Sequence, residues 1–425
     1  MGAKSYGAPV GDGADRPAAT ATGGGAARLA FPATGARHRL AGLRRLSRRP
    51  VAVGVATALA GALFAVLRWA VAAGGNLSRF IVAGSAYVNP RRAPAGLFVV
   101  PGNGYDGQFY YRLALDPADM SRRAFGIELD SFARLGRIGY PALSWLLSGG
   151  GRPSLVPLAL VVGNVAGLGA LGWAAARVAL DGGRHALWGV VIPAYWGYLW
   201  SLGRDLTEIL AAAALLSGLV ALRHRRWVAA AAALSAAVLC KETAAYAVGL
   251  VGATHVVLGV RHRRRPEWAE LAWLVPLAVF GAWELTVRAE TGRLPLRASG
   301  GANLGVPLGG LIDAVRHYAA ALPSTSAFLW WGEVAILAVV VLSAARALRH
   351  TSAPVHERVI WAGAVVLALC VAHGIWLGDV GFRSLDLVYL SSWLVLLGSS
   401  YRLRWLLATS GLAWSAVCVE LVLFI

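Results

Sequence analysis

The feature that most limits what this chain can become is a succession of apolar runs, each close to the length of a bilayer-crossing helix, recurring from residue 51 almost to the last residue. About 20 consecutive apolar residues coiled as a helix match the hydrocarbon thickness of a membrane. The chain has 425 residues, of which 57% are hydrophobic and 14% charged, more apolar surface than a water-soluble chain can hide. The fold class expected is an all-α polytopic membrane protein. A transmembrane barrel fits poorly, because barrel strands alternate apolar and polar residues over short segments, whereas these runs are continuous stretches of Ala, Leu, Val and Gly. The candidate spans are 51–73, 154–177, 185–201, 205–222, 227–240, 243–260, 268–288, 327–346, 358–377, 385–400 and 404–423, a bundle of about eleven helices. The run 227–240 is the shortest for a span.

Charge sorts the connections. Residues 1–36 are rich in Gly, Ala, Thr and Pro without periodicity, which predicts disorder. They lead into the basic stretch RHRLAGLRRLSRR (37–49). Residues 1–50 thus read as a disordered basic cytoplasmic tail and 51–425 as the membrane domain. No small-residue cleavage site follows, so the first span is expected to be retained, not removed as a signal peptide. The short connections RHRR (223–226), RHRRR (261–265), RHTSAPVHER (349–358) and YRLR (401–404) fall on the same side as that tail. The positive-inside rule makes that side cytoplasmic. The long segment 74–153, the segment 289–326 and the turns near 203, 241 and 380 then face outward, as do most of the acids. Arg flanking the spans accounts for the net charge of +19, and nucleic acid is not an expected partner. Of the 40 Lys plus Arg only Lys4 and Lys241 are lysine. Cys240, Cys370 and Cys418 lie in apolar runs with no metal spacing.

Between the first two spans, NGYDGQFYYRLALDP (103–117) concentrates hydrogen-bonding and ionisable groups. Asp106 stands where a helix N-cap worth about 1 kcal/mol is expected, and Asp116-Pro117 where a helix stops. Tyrosine favours the membrane interface in any case. The stretch also suits a ligand: a carboxylate on a Tyr-Asp-Gly turn, a glycine at 107 that lets a ligand approach the backbone, and Gln108, Tyr110, Tyr111 and Arg112 able to bond a polyol or a phosphate. Further on, FARLGRIGYPALSWLL (132–147) sets Arg134 and Arg137 three apart on one helical face. They either snorkel from an interfacial helix or clamp an anionic lipid phosphate. SLGRDLTEILAA (201–212) opens a span with Arg204, Asp205 and Glu208, the two acids expected on one face. Acids in a first turn suit the helix dipole, yet two acids with an arginine exceed what capping needs, and ionisable groups in a membrane mark function by default. LCKETAAY (239–246) puts Lys241 and Glu242 between two apolar runs. They form either an ion pair bracing two helices or a lysine that reaches a phosphate, oriented by Glu242. Among the scattered polar residues, which include His373 and Asp379, Arg383 and Asp386 are the most suggestive, one turn apart at a span's outer end. HExxH, CxxC, GxSxG and P-loop patterns do not occur in the sequence.

Taken in order, GYDGQFYYRLALDP, RLGRIGYPAL, GRDLTEILAA and CKETA, within about residues 75–250, resemble a bacterial family of polytopic proteins in the GT-C glycosyltransferase superfamily. That resemblance implies a GT-C fold that moves a sugar from a polyprenyl-phosphate donor to a cell-envelope glycan, lipid or protein acceptor. The reaction would take place on the extracytoplasmic face of the bacterial inner membrane. It also implies a general base in the first outer loop, which falls on Asp106, with Asp205 or Glu208 as the fallback. Residues 74–105 separate the first span from Asp106, a longer stretch than in many relatives. Tyr105, Gln108, Tyr110, Arg134, Arg137, Arg204, Asp205, Glu208, Lys241, Glu242 and Arg383 form the expected substrate-binding set. No nucleotide cofactor is called for. The acids can supply ligands to a divalent metal, but no ligand spacing commits to one. The competing expectation is a transporter or lipid flippase for a polar envelope precursor. It needs ionisable residues through the depth of the spans, whereas here they gather at the outer ends.

Overall fold

The six helices that are long and apolar enough to cross a membrane are Pro50–Val71, Val156–Asp181, Glu242–Arg261, Glu270–Thr291, Thr325–His350 and Arg404–Leu423. The computed structural model describes residues 49–263, 268–377 and 382–423; the expected tail over 1–48 and the noted Asp379 lie outside the described residues. The chain is mostly helical, 72% helix and 4% strand, and its apolar helices mark a membrane protein.

The sequence-based count of eleven spans is not confirmed. Glu208–Arg223, Trp227–Cys240 and Asp386–Leu397 form as helices of 16, 14 and 12 residues, short of the roughly 20 that a straight crossing needs. The run 185–201 breaks at Pro193 into a 3₁₀ turn, Ala186–Val191, and a helix, Trp196–Gly203; proline has no N–H for the helical ladder. The run 358–377 likewise divides into Val355–Leu369 and His373–Trp376. In chain order the helices are α1 Pro50–Val71, α2 Gly107–Leu115, α3 Gly139–Leu147, α4 Val156–Asp181, α5 Trp196–Gly203, α6 Glu208–Arg223, α7 Trp227–Cys240, α8 Glu242–Arg261, α9 Leu274–Thr291, α10 Pro295–Asn303, α11 Gly309–Ala320, α12 Thr325–Ala347, α13 Val355–Leu369, α14 His373–Trp376, α15 Asp386–Leu397 and α16 Arg404–Leu423.

Helices α1 and α4 pack backbone to backbone. A Cβ on Gly54 would lie 2.8 Å from the Gly169 carbonyl oxygen, and the Thr57 hydroxyl reaches the Leu168 carbonyl at 3.1 Å. Small residues allow this approach, which membrane helices use because apolar surface alone drives no association in lipid.

Contacts among the connections sort them into two ends. At one end the Arg184 guanidinium donates to the carbonyls of Leu397 and Tyr401 at 3.0 and 2.9 Å. There also Arg223 pairs with buried Glu357 and lies 3.8 Å from Asp181, and Thr351 bridges Ser399. At the other end the long first loop folds over the helix ends. It carries a two-stranded parallel pair, β1 (Ala83–Gly84) and β2 (Val99–Val100), and an antiparallel hairpin, β3 (Arg123–Ala124) and β4 (Ile127–Glu128). Its helix α2 is buried along its whole length and stops at Asp116-Pro117, as proline dictates. The segment 289–326, expected to face outward between two candidate spans, holds two helices. Of these, α10 lies beside the 3₁₀ turn Phe132–Arg137: a Cβ on Gly136 would touch Pro295 at 3.0 Å. The indole N–H of Trp283 on α9 bonds the Leu135 carbonyl at 2.8 Å.

Candidate functional site

Asp106 occupies the N-cap position of α2, but its side chain makes no capping bond. The carboxylate turns away from the helix, and its Oδ2 receives Arg134 Nη1 at 2.8 Å and Arg383 Nη2 at 2.9 Å. Arg134 also grips Asp130, four residues earlier, with two bonds of 3.0 and 2.8 Å. The turn carrying Arg134 is 3₁₀ and not the α-helix expected, and its repeat of three sets Arg134 and Arg137 on one face. Arg137 makes a two-point contact with Glu242 at 2.9 and 2.6 Å and donates to the Tyr110 hydroxyl at 3.0 Å. Glu242 Oε1 accepts in addition from the Ser299 hydroxyl of α10 at 2.6 Å.

Arg383 joins the first loop to the helix ends. Its Nε donates to the Tyr105 hydroxyl at 3.1 Å, and its Nη1 pairs with Glu208 at the start of α6. Glu208 lies 3.4 Å from Lys241 Nζ, and Lys241 lies 3.2 Å from Asp386. Glu208, Lys241 and Asp386 are all buried. The result is a chain of contacts that alternates in sign from Asp130 through Arg134, Asp106, Arg383, Glu208 and Lys241 to Asp386. Paired in this way, ions survive burial; any one left alone would be costly.

All of these groups except Asp386 and Tyr110 border a cavity of about 540 Å³, whose lining also includes Leu304, Leu367, Val371, Ile375 and Val388. Burial by itself would push the Asp106 carboxyl up. Arg134 and Arg383, with Arg137 further off, outweigh it and hold that carboxyl below its usual range. Burial raises the Tyr105 phenol against the opposing pull of Arg383, so Tyr105 stays neutral and able to donate a hydrogen bond.

The expected binding set divides. Tyr105, Asp106, Arg134, Arg137, Glu208, Lys241, Glu242 and Arg383 all border the cavity. Tyr110 supports it from behind through Arg137. Arg204 does not border it. Its guanidinium lies over the Tyr105 and Trp200 rings, 4.6 and 4.7 Å from their centroids. Asp205 lies elsewhere too: α6 begins only at Glu208, so the two acids share no helical face, and Asp205 turns into the interior in a left-handed conformation with φ 50. It is fully buried, and neither carboxylate oxygen has a hydrogen-bond partner among the described residues. Gln108 stitches the loop together, its Oε1 accepting from the Gly84 N–H and its Nε2 donating to the Asn103 carbonyl, both at 2.9 Å. Arg112 is buried against Asp119 and Ser121. Gly107 was expected to admit a ligand; what lies against it is protein backbone, the carbonyl oxygens of Arg204 and Ile81.

Three site residues lay outside the expected set. Asp130 had a sequence signal, its i,i+4 spacing to Arg134. Asp386 stood out only as a neighbour of Arg383. Ser299 in PLRASGGAN has no signal at all. Among the described residues no group of three or more His, Cys, Asp or Glu is placed to hold a metal ion. The chain matches no family model, no curated protein and no solved structure.

Proposed function

We propose that this protein is a membrane glycosyltransferase of the GT-C type, with a bundle of about eleven membrane-crossing or membrane-embedded helices. It takes a sugar from a polyprenyl-phosphate donor and places it on an envelope acceptor at the extracytoplasmic face of a bacterial inner membrane. One observation carries the reading. The Asp106 carboxylate and the cations Arg134, Arg137, Lys241 and Arg383 border one cavity together with the acids Asp130, Glu208 and Glu242, and an apolar stretch of the same wall is built by Leu304, Leu367, Val371, Ile375 and Val388. Such a site suits an amphiphile with a charged head and a hydrocarbon tail.

In the reaction the acceptor hydroxyl gives its proton to Asp106 while its oxygen bonds the anomeric carbon. The bond from that carbon to the phosphate oxygen breaks, and its electron pair leaves on the lipid phosphate. The cations stabilise that developing charge. A single displacement of this kind inverts the anomeric centre. Two guanidiniums on Asp106 make it a weak base at rest. A donor phosphate that draws Arg134 or Arg383 toward itself leaves the carboxylate less neutralised and more basic, so donor binding and base activation are coupled.

The test is deletion of the gene, with complementation by the wild type or by Asp106→Asn, and mass spectrometry of lipid-linked sugars and envelope glycans. Deletion is expected to remove one glycan and to build up its lipid-linked donor. The wild type restores the glycan, and Asp106→Asn does not although it reaches the membrane. An unchanged set of glycans and lipid-linked sugars in the deletion strain overturns the reading.

A further inference from the structure

A second basic site lies on the other side of α10. Gly292 ends α9 in a left-handed conformation, φ 71, with its N–H bonded to the Arg288 carbonyl at 2.8 Å. That turn brings Arg293 and Arg297 back beside Arg288, and the three surround a surface pocket of about 430 Å³. All three side chains are exposed, and among the described residues none makes an ion pair. Arg293 lies over the Phe132 ring at 5.7 Å.

Directly next to this pocket runs an apolar groove of about 790 Å³, walled by Phe280, Leu285, Leu294, Leu296 and Gly300; it shares Leu294 and Arg297 with the basic pocket. Leu285 is 60% exposed and Leu296 48%. The acid in this groove, Glu284, already accepts the Leu296 N–H at 3.0 Å. Glu290, two residues from Arg288, faces away from it around the helix.

Arginines at a span's end ordinarily snorkel singly into water. Three converging on one pocket, above an apolar groove that follows a membrane-length helix, make a different object. We propose that this is a binding site for an anionic phospholipid, with the phosphate held by Arg288, Arg293 and Arg297 and an acyl chain laid along the α9–α10 groove. Charge complementarity selects the occupant: a planar guanidinium fork matches phosphate geometry, and basic residues at the headgroup level draw anionic lipids. The site rests on the chain being a membrane protein and not on sugar transfer. Since Ala298 and Gly300 border both the charged cavity and this surface, a bound lipid would brace the thin wall that carries Ser299.

Purified full-length protein in detergent, titrated with phosphatidylglycerol or phosphatidylcholine and read by native mass spectrometry, tests the site. One phosphatidylglycerol is expected to stay bound under conditions that strip phosphatidylcholine. Arg293→Gln with Arg297→Gln weakens its retention roughly tenfold, and Arg91→Gln with Arg92→Gln, exposed arginines in the first loop, leaves it unchanged. Soluble glycerol phosphate is expected to displace the lipid poorly. Equal retention of the two lipids, indifference to the Arg293 and Arg297 substitutions, or displacement by glycerol phosphate as readily as by phosphatidylglycerol each overturns the proposal.

Discussion

Asp106 holds its proton less tightly than a free carboxyl because two arginines share one of its oxygens. A carboxyl whose folded-state pKa is lowered adds stability that is fully present above the unfolded value, about 3.9, and is lost as pH falls through the folded value. The gap in melting temperature between wild type and Asp106→Asn is therefore expected to hold steady from pH 5 to 8, a range above both values, and to close below about pH 4. A gap that closes already near neutral pH would place the proton elsewhere. In transfer, Asp106→Asn is expected to cost about 10²–10⁴-fold, measured with donor lipid in proteoliposomes. Lys241 works differently. It is 3% exposed and lies between Glu208 and Asp386, so Lys241→Ala leaves buried Asp386 without a cation among the described residues and Glu208 with Arg383 alone. A loss of about 3–5 kcal/mol is expected from thermal or denaturant unfolding. The double variant Lys241→Ala with Asp386→Ala is expected to recover part of that loss, because neighbouring sites do not add.

At the scale of the element, α2 is an aiming device. Its first residue, Gly107, lies against the backbone carbonyls of Ile81 and Arg204, and a Cβ there would come within 2.7 Å of the Ile81 oxygen. Gly107→Ala must push α2 off the 204 turn, an overpacking cost of about 1–3 kcal/mol, and swing Asp106 away from Arg383. Melting and transfer are both expected to fall, whereas Gly332→Ala in α12, whose Cβ would meet nothing within 4 Å, is expected to spare transfer. Equal effects at the two positions would deny α2 its role. Here the limits of reading a sequence become physical. The ladder of apolar runs exposes the helices, since burial in lipid demands it, and the clustering of acids and arginines picks out Asp106, Glu208, Lys241 and Arg383. Pairing does not show, because Asp106 and Arg383 are 277 residues apart and meet only through packing. Local order is equally hidden where one residue decides it: a left-handed turn sends Asp205 inward, and Gln108 spends its amide on Gly84 and Asn103. Ser299 enters the site only because the segment 289–326 folds as helices, which its polar, glycine-bearing sequence does not announce.

Across the whole molecule, the connections gather into two ends of different character. At one end Arg184, Arg223 and the 349–358 and 398–404 connections are drawn together; these include the basic connections that the positive-inside rule assigns to the cytoplasm. At the other end lie the first loop, Glu208, Lys241, Ser299 and Arg383, around the charged cavity. Helix packing fixes which connections share an end, but only a membrane fixes which end faces out, and the proposed chemistry requires the cavity end to do so. Single cysteines settle the matter. Cys240 is buried while Cys370 and Cys418 are partly accessible, so all three are first replaced. Arg91 and Arg349, both exposed and at opposite ends, are then changed to cysteine one at a time in whole cells. A membrane-impermeant maleimide is expected to label Arg91→Cys in intact cells, and Arg349→Cys only after the membrane is opened. Reversed labelling would leave the fold and the ion-pair chain standing. It would also put Asp106 on the side where nucleotide sugars are made, so a polyprenyl-phosphate donor would no longer be needed.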